Sequence, residues 1–184
     1  HNTEPDLQSD YDEKTRVVRV KTGEIKNVSR ILRAYREISL SRIIWKRAKS
    51  FLNENHFDLI VYYSPTIFFG PLVKRLKRRY GCPAYLVLRD IFPQWAVDAG
   101  ILSEGLFYRV LKHYEKINYD AADIIGIQSP ANREYFSKRG LDGKYCLEVL
   151  YNWISLSESC KSSLHFRKAL GLEGKVVVFY GGNI

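Results

Sequence analysis

Short apolar runs separated by helical stretches recur along this chain. The segments 58–63 (DLIVYY), 84–88 (AYLVL) and 123–128 (DIIGIQ) are nearly continuous in hydrophobicity, the pattern of strands buried on both faces, and 144–150 (KYCLEVL) follows as a further strand. Between them lie helical patterns. One spans 66–80, with Ser64-Pro65 as its start and Gly81 as its stop; a second spans 103–122, opened by the pair Ser103/Glu104; a third starts at Ser129-Pro130, runs to Lys138 and is closed by Gly140. Upstream, polar 2–14 reads as a loop, 16–20 (RVVRV) as a short strand and 27–55 as one broken helix or two. Downstream, 166–184 (FRKALGLEGKVVVFYGGNI) reads as a short helix, a Gly turn, an apolar strand and a Gly-Gly turn.

Strands alternating with helices over this distance predict an α/β fold, a Rossmann-like parallel sheet with helices on both faces. Ligands of such sheets gather at the carboxyl ends of the strands. Here those ends read Tyr63-Ser64, Arg89-Asp90, Gln128-Ser129 and Asn152-Trp153, all polar or aromatic and able to meet a sugar. Ser64 and Ser129 serve equally well as helix caps. Arg89-Asp90 is an adjacent charge pair after an apolar strand, costly to bury unless it is paired or meets a ligand. It reads either as a local ion pair capping a helix over 91–97, or as a hydroxyl acceptor (Asp90) beside a clamp for phosphate or carboxylate (Arg89).

Composition narrows the partners. The chain has 184 residues, 46% of them hydrophobic, enough for one ordinary domain with a sizeable core. It carries 29 Lys+Arg against 20 Asp+Glu, a net charge of +9. Five acids (Glu4, Asp6, Asp10, Asp12, Glu13) and one base (Lys14) fall in the first fifteen residues, leaving 28 basic against 15 acidic residues, +13, on the remainder. That excess favours anionic partners: nucleic acid, anionic lipid or a phosphorylated substrate. Cys82, Cys146 and Cys160 are odd in number and lack metal-ligand spacing with the four His, so reduced thiols in a cytoplasmic protein are expected and no metal site is. No apolar run approaches the roughly 18 residues of a membrane span.

Three segments carry a family resemblance. LRDIFPQWAVDAGIL, at 88–102, resembles a segment of bacterial family 4 retaining glycosyltransferases of the GT-B type that build O-antigen and capsule repeat units, including the N-acetyl-L-fucosamine transferases. VLYNWISL, at 149–156, resembles the Pro-Asn-Gly segment of the wider family in its Asn-Trp form, and LHFRKALGLEGKVVVFYGGNI, at 164–184, resembles the stretch that follows it. The resemblance implies two facing Rossmann-like domains, the first binding acceptor and the second a nucleotide-sugar. On it, 1–152 is the acceptor domain, with the family's first strand expected before His1. Residues 153–174 are linker and helix, and 175–184 the first strand of the donor domain, whose remainder, with the main catalytic carboxylates, is expected beyond Ile184. The chain alone is then expected to be inactive and its catalytic residues unknown.

The roles so implied are acceptor binding by Arg89, Asp90, Ser64 and Gln128, and donor-diphosphate binding by Gly181, Gly182 and Asn183, where missing Cβ atoms let backbone N–H groups approach oxyanions. The wider family often has a His where this sequence has Arg89, and Arg89 cannot act as a base near neutral pH, so its role would be electrostatic. The implied reaction transfers sugar with retention from a nucleotide-sugar donor to a polyprenyl-diphosphate-linked saccharide, without an obligatory metal or cofactor.

Two basic segments bear on location. Arg30, Arg33, Arg36, Arg42, Lys46, Arg47 and Lys49 interleave with Ile31, Leu32, Tyr35, Ile38, Ile43, Ile44 and Trp45, and Lys74, Arg75, Lys77, Arg78 and Arg79 crowd one short helix. They read either as solvated faces of core helices or as a surface for an anionic membrane, on the inner face of the cytoplasmic membrane for a transferase with a lipid-linked acceptor. Two other classes compete. A nucleotide-sugar 2-epimerase shares the GT-B architecture and needs no lipid acceptor; a nucleic-acid-binding module would explain the charge, but no RRM, KH or zinc pattern is present.

Overall fold

A computed structural model describes residues 7–12, 15–24, 28–141, 143–154 and 165–178. The chain divides into two compact units, His1–Asn152 and Trp153–Ile184.

The first unit is α/β. An antiparallel hairpin, β1 (Leu7–Asp12) and β2 (Thr15–Val20), precedes two helices, α1 (Arg30–Arg47) and α2 (Lys49–Glu54). The strands β3 (Ile60–Tyr63), β4 (Ala84–Leu88), β5 (Ile124–Ile127) and β6 (Leu147–Val149) then form a parallel sheet in that order. Helix α3 (Gly70–Tyr80) joins β3 to β4; α4 (Gln94–Asp98) and α5 (Leu106–Tyr119) join β4 to β5; α6 (Asn132–Ser137) joins β5 to β6. The expected Rossmann-like parallel sheet flanked by helices is therefore present.

Parallel strands in sequential order are joined by helices that pack back on the sheet. The main core cluster follows that rule: Val73 of α3, Tyr119 of α5 and Phe136 of α6 pack on Tyr62, Leu86, Leu88, Ile125 and Ile127. Leu86, Ile125, Ile127 and Phe136 are fully buried, each worth about 2 kcal/mol by transfer from water. The residues between them in sequence point the other way, and there Val61 and Tyr63 are exposed. On that face Tyr85 lies across Gly126, and its hydroxyl donates to the Glu148 carboxylate.

Several expected boundaries move. Residues 7–12, read as loop, pair with β2, since Arg16 Nε donates to Ser9 Oγ at 2.8 Å and Arg19 pairs with Asp10; polar cross-strand pairs supply the ladder that hydrophobicity conceals. Helix α3 starts at Gly70 rather than at 66. Ser64 extends the ladder instead, its N–H donating to Val87 O at 3.0 Å and its hydroxyl to Asp90 O at 3.1 Å. Helix α5 starts at Leu106 with Gly105 as its N-cap, so Ser103/Glu104 do not cap it. Ser129 is no cap for α6 either: its N–H and hydroxyl both donate to Asn132 Oδ1. Gly81, with φ of 66°, ends α3 as expected, its N–H bonding Lys77 O.

In the second unit α7 (His165–Ala169) is followed by turns at Gly171 and Gly174, and Arg167 Nη1 donates to Leu172 O and Lys175 O. Residues 175–178, expected to open a strand, form none: Val176 is 95% and Val178 93% exposed, and no described segment pairs with them. A strand needs a ladder partner to persist.

Candidate functional site

The segments that leave β3 and β4 at their carboxyl ends build a cavity of about 420 Å³. Pro65, Thr66, Ile67 and Phe68 form one wall, Phe92 and Trp95 a second, and Arg36, Glu37 and Leu40 of α1 a third, with Thr22 at the rim. The lining is mostly apolar, with charge and hydroxyl groups confined to α1 and the two threonines. This is the composition of a ligand pocket, in which apolar area supplies affinity and a few polar groups fix orientation.

Each wall is anchored. Ile67 and Phe68 are buried against Leu111, with Phe92, Leu102 and Tyr114 around them, and the Phe68 and Tyr114 rings meet edge-on at 5.1 Å. The buried Ser41 hydroxyl donates to Phe68 O and accepts from Leu72 N–H at 3.3 Å, which staples α1 to the β3–α3 loop. Phe92 precedes a cis proline, and its ring lies 6.2 Å from that of Trp95, which is 46% exposed. The neighbour of Trp95, Gln94, accepts from the Tyr108 hydroxyl at 3.0 Å and from Arg139. Arg139 in turn stacks 4.1 Å over Tyr135. These contacts tie short α4, and with it Trp95, to α5 and to the end of α6.

Beneath that network sits a buried carboxylate. Glu115 receives Lys112, the Tyr135 hydroxyl at 2.7 Å and the Tyr119 hydroxyl at 3.3 Å. Burial first, then the Glu115 charge, pushes the Tyr119 and Tyr135 hydroxyls far above their ordinary range, so both stay protonated donors. The cluster is fully partnered and structural. Among the described residues no group of three His, Cys, Asp or Glu could hold a metal ion.

The four expected acceptor residues lie at the strand ends, but none lines the cavity. Ser64 is buried and holds the Asp90 carbonyl, so these two are brought together; Asp90 itself is exposed. Arg89 reaches across β5, its Nη1 donating to Leu150 O at 3.0 Å, and its charge lies near Tyr85. Gln128 is half-buried at the end of β5. Gly181, Gly182 and Asn183 lie outside the described residues, as does Cys160; Cys82 is buried and Cys146 exposed, both as free thiols. The sequence pattern does not single out Phe92, Trp95, Arg36 or Glu37 as cavity residues. The aromatics carry a signal, since they follow the Arg89-Asp90 strand end directly; the α1 residues carry none.

No family model and no curated protein matches the chain. Among solved structures it is similar to the apo structure of UGT2 from Phytolacca americana, at 13% identity and a TM-score of 0.44 over 73% of this chain. The chain spans 38% of the length of that structure. A likeness of that size assigns no activity.

Proposed function

We propose that this chain is the acceptor-binding part of a glycosyltransferase. The reaction moves a sugar from a nucleotide-sugar to a polyprenyl-diphosphate-linked saccharide in bacterial cell-surface polysaccharide synthesis, of the O-antigen or capsule type. One observation carries the reading: Phe92 and Trp95, from the very segment that resembles the family, form a wall of the cavity at the strand ends. An exposed indole face suits the C–H surface of a sugar ring, and Glu37 and Thr66 supply oxygens for its hydroxyls. Glycosyl transfer needs the acceptor hydroxyl held against the anomeric carbon, so a rigidly anchored wall contributes mainly by orientation. On the same reading Gly181, Gly182 and Asn183 face the donor diphosphate, Arg89 and Asp90 border the cleft, and the work takes place on the cytoplasmic side of the membrane.

The test is an assay of the whole protein with a panel of nucleotide-sugars and a polyprenyl-diphosphate-saccharide acceptor. Transfer that requires the acceptor supports the reading, and Trp95→Ala should then raise the acceptor KM about tenfold, the equivalent of about 1.4 kcal/mol. Conversion of the nucleotide-sugar without acceptor would replace it with the epimerase.

A further inference from the structure

Trp95 stands on the least self-sufficient element of the cavity. Helix α4 spans only Gln94–Asp98, its N-cap Pro93 makes no side-chain cap bond, and so short a helix does not hold itself. Pro93 and Ala96 are buried and fix its inner side. Gln94 fixes the rest. Its amide oxygen accepts from the Tyr108 hydroxyl at 3.0 Å and from Arg139 Nη2, and its amide nitrogen donates to Asp98 Oδ1 at 2.8 Å. These bonds hold the α4 backbone, and with it the adjacent indole, in one rotation.

Of the partners of Gln94, Arg139 comes from farthest along the chain, 45 residues on, just beyond α6 in the crossover from β5 to β6. Its backbone is fixed first. The Leu141 N–H bonds Phe136 O at 3.0 Å and the Gly140 N–H bonds Ser137 O at 3.0 Å, with Gly140 at φ of 63°, so α6 closes on a fully buried phenylalanine. The guanidinium then stacks 4.1 Å over Tyr135, whose hydroxyl donates to the buried Glu115 carboxylate at 2.7 Å. Arg139 makes no ion pair among the described residues. Its charge is committed to a ring and to a neutral amide oxygen, the second of which leads straight to the cavity wall.

We propose that Arg139 is a positioning residue of the acceptor site. It does not line the cavity; through Gln94 it sets the orientation in which the Trp95 indole meets the acceptor sugar. The planar guanidinium suits the task, because it can donate to Gln94 while its face stacks on Tyr135, two contacts that a lysine cannot make together. Tyr108, the second donor to the same amide oxygen, keeps part of the constraint when Arg139 is lost, so the effect is graded. The kinetic consequence rests on the acceptor reading of the cavity, whereas the effect on Trp95 itself does not.

Fluorine NMR of the protein labelled with fluorotryptophan tests the structural half. The Trp95 resonance, identified by its loss in Trp95→Phe, should move in Arg139→Gln and move less in Arg139→Lys, while the Trp45 resonance and the far-ultraviolet circular dichroism stay unchanged. Kinetics test the rest, with a polyprenyl-diphosphate-saccharide as acceptor. Arg139→Gln should raise the acceptor KM about threefold and leave the donor KM unchanged. Added to Trp95→Ala, the same substitution should raise it no further, since a residue acting through Trp95 has nothing left to act on. An unmoved Trp95 resonance, an equal movement of Trp45, or a further rise in acceptor KM in the double variant would each overturn the proposal. A moved Trp95 resonance in a protein that transfers no sugar would remove the acceptor reading and leave Arg139 as the residue that orients this wall.

Discussion

Gly70→Ala isolates the contact that fixes α3 to α5. Gly70 opens α3, and a Cβ there would stand 2.7 Å from Ile117 O and 2.8 Å from both N and Cα of Asn118. All three are backbone atoms, so no side chain can swing aside. Ordinary contact begins at 3.4 Å, which requires the two helices to part by roughly 0.7 Å. Two bonds would be strained with them: Tyr62 hydroxyl to Asn118 O at 2.6 Å, and Lys77 Nζ to Ala121 O at 3.3 Å. Overpacking of this kind costs about 1–3 kcal/mol, against a gain of at most about 1 kcal/mol from better helix propensity, smaller still at a first position. The expected net loss is about 2 kcal/mol, or about 5 °C in Tm for a domain of this size. Thermal melts followed by circular dichroism measure it. Gly105→Ala serves as the control, because its Cβ would meet nothing within 4 Å, and it should cost under about 1 kcal/mol as a cap change. A Gly70→Ala Tm equal to or above wild type would refute the argument.

Two further perturbations follow. A Cβ at Gly126 would stand 2.3 Å from the Tyr85 hydroxyl oxygen, but that ring lies on the open face and can lift, so Gly126→Ala should break the Tyr85–Glu148 bond at a cost of only about 1 kcal/mol. Burial and then Glu148 push the Tyr85 hydroxyl up to about 12, so a difference ultraviolet titration should show one tyrosine ionising at lower pH in the variant; an unchanged titration would count against this geometry. For Asp120, burial alone would raise the carboxyl, but hydrogen bonds from Lys116 and Tyr145 and the charges of Lys116 and Lys144 outweigh it and hold it at about 2. Because the folded value is the depressed one, its stabilisation is complete above about pH 4 and is lost as pH falls toward 2; solvent screening limits it to about 1 kcal/mol. Urea midpoints of wild type and Asp120→Asn should therefore differ at pH 6 and converge near pH 2, and a constant difference would exclude the linkage.

The sheet is legible in the sequence because its strands are short apolar runs: 58–63, 84–88 and 123–128 are too short and too uniformly apolar to form the one-sided stripe of a surface helix, although β3, expected to be buried on both faces, leaves Val61 and Tyr63 exposed at the sheet edge. The helix starts are less so. Ser64-Pro65 and Ser129-Pro130 both carry a capping cue, yet in each the serine makes a different bond, one tying two strand ends and the other a local turn. A capping cue records what a side chain can do, not which of several partners the tertiary structure will bring within reach. The β1–β2 hairpin is hidden for the opposite reason, since its pairing uses Arg16, Ser9, Arg19 and Asp10, which look like loop residues when read singly. Arg89-Asp90 is a costly pair to bury on sequence grounds alone. The structure meets that cost by leaving Asp90 exposed and giving Arg89 the Leu150 carbonyl, a resolution the sequence could not specify.

The cavity is legible only in part because its walls come from segments distant in sequence. Strand-end logic points to Ser64 and to Arg89-Asp90, which line no wall themselves, while Pro65 to Phe68 and Phe92 and Trp95, a few residues further on, do; nothing in the pattern of α1 assigns Arg36, Glu37 and Leu40 to one cavity and Tyr35, Ile38 and Arg42 to another.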